Sequence, residues 1–243
     1  MWRWCRSRRQ WLAAGGALLL TAAVLALAVP HVRAATFGGG WDASSGAPLV
    51  ITYNDTTCAD PTYRLIIEDA AAQWNQTDTP AAFVRTDSTD PATVQLFVCT
   101  GFDDGPNGDY WGMTDLYDAS GGECLQCHYA HARVFLNRAE LDGEPIAVRL
   151  KTATHELGHV LGLAHPLKTD HTPQIMRQGW NGYAAPQVQD IANLNALYPG
   201  WAGGSAKPAD ATTFQPLPMA APAVVPARMP APPAGSDGGE LGR

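Results

Sequence analysis

Between residues 49 and 200 the apolar positions follow two rhythms. Leu49-Val-Ile-Thr-Tyr53 is a short β-branched and aromatic run and predicts a strand. From Asp60-Pro61 the period changes. Tyr63, Ile66, Ile67, Ala70, Ala71 and Trp74 recur at helical spacing and make one apolar face, and a proline at an early helical position suits a first turn. Phe83-Val84 and Val94-Gln-Leu-Phe-Val98 read as strands separated by a polar turn, and Val134-Phe-Leu136 as another. Residues 145–163 are helical in pattern. Val188, Ile191, Leu194 and Leu197 space a last helix, which Pro199-Gly200 terminates. Two stretches lack either rhythm: the Gly-rich residues 35–48, which read as loose, and the Gly- and Asp-rich residues 101–123, which read as a long loop.

The ends of the chain differ from this middle. Arg3, Arg6, Arg8 and Arg9 precede an uncharged, Ala- and Leu-rich run from Leu12 to Val29, and Val32-Arg33-Ala34 offers small residues where a signal peptidase reads. That order predicts a cleaved secretory signal over residues 1–34, with an uncleaved membrane anchor as the alternative. Ser7-Arg8-Arg9-Gln10-Trp11-Leu12 also resembles a twin-arginine export signal, so the route stays open. After Trp201, Pro and Ala dominate, and a segment of that composition cannot bury a core; residues 201–243 read as a disordered tail. The folded part is therefore expected over residues 35–200, as one domain.

Charge narrows the partners. Loss of residues 1–34 removes five arginines and no acids, which turns 16 basic and 23 acidic residues into 11 and 23, a net −12. So acidic a chain is a poor partner for nucleic acid or anionic lipid and fits a soluble, secreted, extracellular monomer. Cys5 leaves with the signal, and Cys58, Cys99, Cys124 and Cys127 remain. An even number in an exported chain argues for two disulfides. Three pairings are open; Cys58–Cys99 with Cys124–Cys127 is favoured because a close pair can shut a small loop.

The stretch His155-Glu-Leu-Gly-His159-Val-Leu-Gly-Leu-Ala-His165 concentrates the chemistry. Histidines four apart project from one helix face one turn apart, a spacing suited to two nitrogens about 2.0–2.1 Å from one zinc ion. Glu156 lies about 100° around the helix, where a base can sit beside the metal without binding it. On a continuing helix His165 would lie roughly 15 Å along the axis from His155 and could not share the ion. The chain must therefore turn back. Gly162 stands where the break is needed and tolerates the left-handed conformation that ends helices, and Pro166 prevents a helix beyond. Three histidines leave one corner of a tetrahedron open, as in a catalytic zinc site. A bare His-Glu-x-x-His arises by chance in roughly one chain of this length in a hundred; Gly162 and His165 make chance far rarer. A helix with surface histidines is a poor alternative, because Leu157, Val160, Leu161 and Leu163 mark a buried helix, where unpaired histidines are costly.

Read through His165, the motif resembles the extended zinc signature of the metzincins, and the chain around it looks like the matrixin branch. Ile175-Met176, eleven residues after His165, is similar to the Met-turn; residues 189–198 resemble the closing helix, and residues 49–54 and 70–74 the first strand and first helix. The resemblance covers about residues 47–200. It implies an α+β, zincin-like fold: a twisted, mostly parallel sheet with two long helices, and a small C-terminal subdomain carrying the Met-turn and a last helix. It also implies a zinc endopeptidase acting on protein or peptide substrates, with His155, His159 and His165 as ligands, Glu156 as general base and acid, and Met176 supporting the site from beneath. The chain departs from the family in three respects: residues 35–46 hold no cysteine that could block the zinc, Tyr183 stands too far from Met176 to be assigned a role there, and no clear match to the family's second, structural zinc site is found.

Three other features carry competing readings. Cys124-Leu-Gln-Cys127-His128 matches the pattern of covalent haem attachment, although a disulfide is the simpler use of both thiols. His128 and His131 could form an accessory metal site, but loop histidines are usually just solvated. Asp103-Asp104-Gly105-Pro106-Asn107-Gly108-Asp109 offers oxygen ligands suited to Ca2+ without a complete calcium-loop signature. A catalytically silent zinc-binding or adhesion module remains the alternative to an enzyme.

Overall fold

A computed structural model describes residues 35–43, 46–103, 109–201 and 207–208. The expected signal (1–34), most of the tail, and residues 104–108 of the acidic loop lie outside the described residues. No described helix is long and apolar enough to cross a membrane.

Five strands form one sheet: β2 (Leu49–Asn54), β3 (Ala81–Arg85), β4 (Leu96–Gly101), β5 (Gly112–Tyr117) and β7 (His131–Asn137), in the order β3-β2-β4-β7-β5. All neighbours run parallel except β5, which pairs antiparallel with β7 from Gly112↔Leu136 to Tyr117↔His131. The fold is thus α+β with a mostly parallel sheet. A second sheet of two residues per strand joins β1 (Gly40–Trp41) to β6 (His128–Tyr129). The helices are α1 (Pro61–Asn75), α2 (Arg138–Leu141), α3 (Ile146–Val160) and α4 (Val188–Leu197).

Helix α1 begins where the sequence places it: the Asp60 side chain accepts from the Thr62 amide at 2.9 Å, and Pro61 takes the first helical position. All six residues of its expected apolar face are buried. That face packs on α3, and at its end the Trp74 indole N–H reaches across to the Thr154 carbonyl at 2.9 Å. Asn75, also buried, exchanges two hydrogen bonds with the Phe83 backbone and so fixes the turn from α1 into β3. Cys58 pairs with Cys99, which ties the start of α1 to β4, and Cys124 pairs with Cys127.

Three expectations are corrected. Residues 101–123 are not all loop: β5 forms there despite poor strand propensity, because β7 supplies a ladder for it. Residues 35–43 are not loose: Thr36 bridges Leu163, and Gly40 and Trp41 pair with β6. The helix expected over 145–163 ends at Val160, because Gly162 at φ +93° takes the chain out of it. Past the last helix the chain still touches the domain: the Lys207 ammonium donates to the Asn75 and Thr77 carbonyls at 2.8 and 2.9 Å, at the C-terminal end of α1.

Trp74→Phe keeps most of the buried ring and removes the α1–α3 hydrogen bond. It should destabilise the domain by about 1–3 kcal/mol, read as a lower urea midpoint with an unchanged m-value.

Candidate metal centre

Helix α3 is buried without a break from Leu150 to Val160. His155 and His159 project from it one turn apart, with ring centroids 4.7 Å apart. At Gly162 the chain reverses, and its φ of +93° is one a side-chain-bearing residue rarely adopts. A Cβ there would also meet Leu197 Cδ2 at 2.8 Å. The reversal returns His165 to the other two: its Nε2 lies 3.0 Å from His155 Nε2 and 3.0 Å from His159 Nε2. Among the described residues these three side chains are the one group of ligand-bearing residues whose donor atoms gather closely enough to hold a metal ion.

The outer nitrogens decide which face of each ring is offered. His155 Nδ1 lies 2.8 Å from the Ile175 carbonyl, and His159 Nδ1 lies 2.8 Å from the Leu163 carbonyl. A carbonyl only accepts, so both Nδ1 atoms carry the proton and both Nε2 atoms present lone pairs. His165 Nε2 can give a proton to at most one of them. Without a cation, at least one Nε2 lone pair would face a ring nitrogen at 3.0 Å with no proton between them. Tetrahedral nitrogens on one zinc would be separated by about 3.3 Å, close to the distances seen. The donor set fits a borderline-soft divalent ion such as zinc.

Electrostatics favour the neutral, ligating form. Burial pushes the His155 ring well below the ordinary histidine range, helped by the Lys151 ammonium. His159 is brought down to about 3, first by burial and then by His165. Lys151 is itself buried, one turn before His155; its ammonium donates to the Arg177 carbonyl at 2.9 Å and lies 3.3 Å from His155 Nδ1. Burial lowers it to about 8, opposed by Glu156 and Asp190.

Glu156 points away from the histidine face towards β5. Its Oε2 accepts from the Thr114 hydroxyl at 2.7 Å. Burial raises its carboxyl to about 7, against the Thr114 hydrogen bond and the charge of Lys151. Gly112 leaves it room, since a Cβ there would lie 2.7–2.9 Å from the Glu156 side chain. A proton donor and acceptor poised near neutrality is therefore held between the edge strand and the histidine helix.

Met176 is buried beneath α3, where a Cβ on Gly158 would meet its sulfur at 2.3 Å. The same turn is braced by Asp190, buried on the first turn of α4, which accepts from the Ile175, Met176 and Gln187 amides at 2.7, 3.4 and 2.8 Å. The path from Asp190 through the Ile175 peptide to His155 Nδ1 orients that ring. Asp190 could have been sought in the sequence as the reciprocal partner of a helix cap. Thr114, Gly112 and Lys151 acquire their places only through long-range packing.

The other expected site residues lie apart from this cluster. Cys124 and Cys127 pair with each other, which uses the two sulfurs a covalent haem would need. His128 Nδ1 meets Asp42 at the surface at 2.8 Å. Asp103 accepts from the Tyr110 hydroxyl at 2.7 Å, and the centre of its acidic loop falls outside the described residues. A recess of about 480 Å³ lies elsewhere, beside Trp41, His128 and Tyr198, so donor chemistry rather than concavity marks the candidate site.

No family model and no curated protein matches the sequence. Among solved structures the chain is similar to one titled "Structure of myroilysin", at 15% identity and a TM-score of 0.42, over 65% of this chain and 95% of that one. A likeness of that degree is too slight to bear on the chemistry.

Two outcomes are expected. Gly112→Ala should displace the Glu156 carboxylate while leaving the histidines in place, so that bound metal is kept and any metal-dependent turnover falls by about tenfold or more. Glu156→Gln should change the stability of the metal-free protein with a definite sign. Between the unfolded value of 4.5 and about 7, the folded parent holds a proton that the unfolded chain has lost, so this group costs stability as pH rises. The variant lacks that cost and should gain on the parent by about 1.4 kcal/mol per pH unit across the window, measured by urea unfolding at each pH.

Proposed function

We propose that the protein is a secreted zinc-dependent endopeptidase, with His155, His159 and His165 as ligands and Glu156 as general base and acid. The observation that carries this reading is the convergence of three histidine Nε2 atoms beside a buried carboxyl poised near neutrality. A zinc ion held by His155, His159 and His165 would supply Lewis acidity, to polarise a scissile carbonyl and acidify a water. Glu156, held by Thr114, takes the proton from the attacking water and delivers it to the leaving amine. Lys151, Asp190 and the carbonyls of Ile175 and Leu163 keep the histidine rings oriented and neutral.

The edge strand supports a peptide substrate over a small molecule. β5 is the edge strand of the five-stranded sheet, paired with β7; among the described residues its outer side is met at its C-terminal end, where Tyr117 bridges Glu123 and the Cys124 amide donates to the Leu116 carbonyl. Alternation along an antiparallel pair directs the peptide groups of Gly112 and Thr114 outwards, just beside Glu156. An extended peptide added there would lay its scissile bond against the histidine cluster. The metzincin-like motif, with its matrixin-like surroundings, and two disulfides in the folded domain agree with an exported peptidase. Met176 is then the Met-turn residue under the site, residues 1–34 the removed signal, and residues 201–243 a tail that follows the catalytic domain. The rival, a silent zinc-binding module, leaves the raised Glu156 carboxyl without a use.

Purified protein should digest casein, stop on chelation and recover with zinc. Glu156→Gln should keep one zinc per chain and lose at least a thousandfold in turnover; proteolysis retained in that variant would refute the assigned base.

A further inference from the structure

The end of α3 leaves carbonyls without helical partners just where the chain must reverse to deliver His165. They are taken up by residues far away in sequence. The Trp41 indole N–H donates to the Val160 carbonyl at 2.7 Å, the Tyr198 hydroxyl to the Leu161 carbonyl at 3.1 Å, and the Phe37 amide to the Gly162 carbonyl at 3.0 Å. In return the Ala164 amide, next to His165, donates to the Ala35 carbonyl at 2.8 Å. Tyr198 completes the loop by accepting from the Trp41 amide at 3.2 Å. Residues 35–41 thus form a strap laid along the reversal, with the Phe37 ring stacked on His159 at 5.4 Å and 27° between planes.

The strap has little freedom to lie elsewhere. A Cβ on Gly39 would meet the Leu125 and Cys127 carbonyls at 2.5 and 2.6 Å, so its backbone is seated directly on the loop closed by Cys124–Cys127. On its other side the Gly39 carbonyl lies 3.1 Å from where a Cβ on Gly162 would stand. Backbone therefore touches backbone on both sides.

We infer that the strap, through Phe37 on His159 and its backbone pairing with residues 162–164, is a positioning element that keeps the third histidine on the metal. This rests on reading the three histidines as a metal centre. Two ligands come from a rigid helix. The third comes from a short irregular segment whose local hydrogen bonds alone do not fix its distance from the helix; the strap supplies the missing restraint. Loosening it leaves the helix and its two histidines intact but lets His165 swing away, so metal is released faster and with altered geometry.

The test compares full-length parent, Phe37→Ala, Phe37→Tyr and Gly39→Ala. Each is loaded with zinc to follow release to a chelator, and with Co2+ to record the visible ligand-field spectrum. Phe37→Ala should release zinc about tenfold faster, the scale expected when a group that orients a ligand is lost. Its Co2+ spectrum should shift from the four-coordinate form, its metal-induced rise in unfolding temperature should shrink, and the metal-free unfolding temperature should stay close to the parent's. Phe37→Tyr, which keeps the stacked ring, should behave as the parent. Gly39→Ala, which cannot seat the strap, should exceed Phe37→Ala in release rate. Parental release rates and spectra in both Phe37→Ala and Gly39→Ala would overturn the inference while leaving the metal centre standing. A parent that binds no zinc would instead overturn the metal centre and the strap's role together.

Discussion

The reversal of the chain at Gly162 is the constraint around which the domain is arranged. Helix α3 can present only two histidines to one point in space, and the third must arrive by leaving the helix and doubling back. That requires a residue at positive φ, a neighbour small enough to be crossed by another segment, and new partners for the carbonyls at the helix end. Trp41, Tyr198 and Phe37 provide those partners from both ends of the domain. The small β1–β6 sheet, the end of the last helix and the amino-terminal strap thus all meet at one turn.

Around that turn each group is held by something that is itself held. The His155 and His159 rings are oriented by carbonyls, the Ile175 carbonyl belongs to a turn braced by Asp190, and Asp190 is fixed by the first turn of α4. Glu156 is set by Thr114 on β5, which is positioned by its ladder with β7. Burial has opposite effects on the two kinds of group. It keeps the imidazoles neutral, as ligation needs, and lifts the carboxyl towards neutrality, as proton transfer needs. One desolvated environment therefore prepares both the basic and the acidic partner.

Lys151 adds a charge that the histidine motif alone does not call for. Its ammonium sits against the back of His155, tied to the Arg177 carbonyl, and discourages protonation of the rings in front of it. Burial of a lysine is costly, and here the nearby carboxyls of Glu156 and Asp190 offset only part of that cost.

Much of this was legible along the chain. Periodicity located α1 and its buried face, the strand β2 and the last helix, because each is a local pattern meeting one core. The spacing of His155, Glu156, His159, Gly162 and His165 carried its own geometric argument, since helix pitch forbids the third histidine unless the chain turns. The edge strand β5 and the strap were not legible. β5 is poor in strand-forming residues and exists because β7 offers it a ladder; the strap is Gly-rich, and its Gly39 serves close backbone approach rather than looseness. Thr114, Gly112, Lys151 and Phe37 take on their roles only after residues tens of positions apart are packed together. Local physics thus determined where the three histidines, the carboxyl and the turn between them stand along the chain, while long-range packing decided which groups orient them, because hydrogen-bond partners and burial are properties of a folded surface and not of a neighbour in the chain.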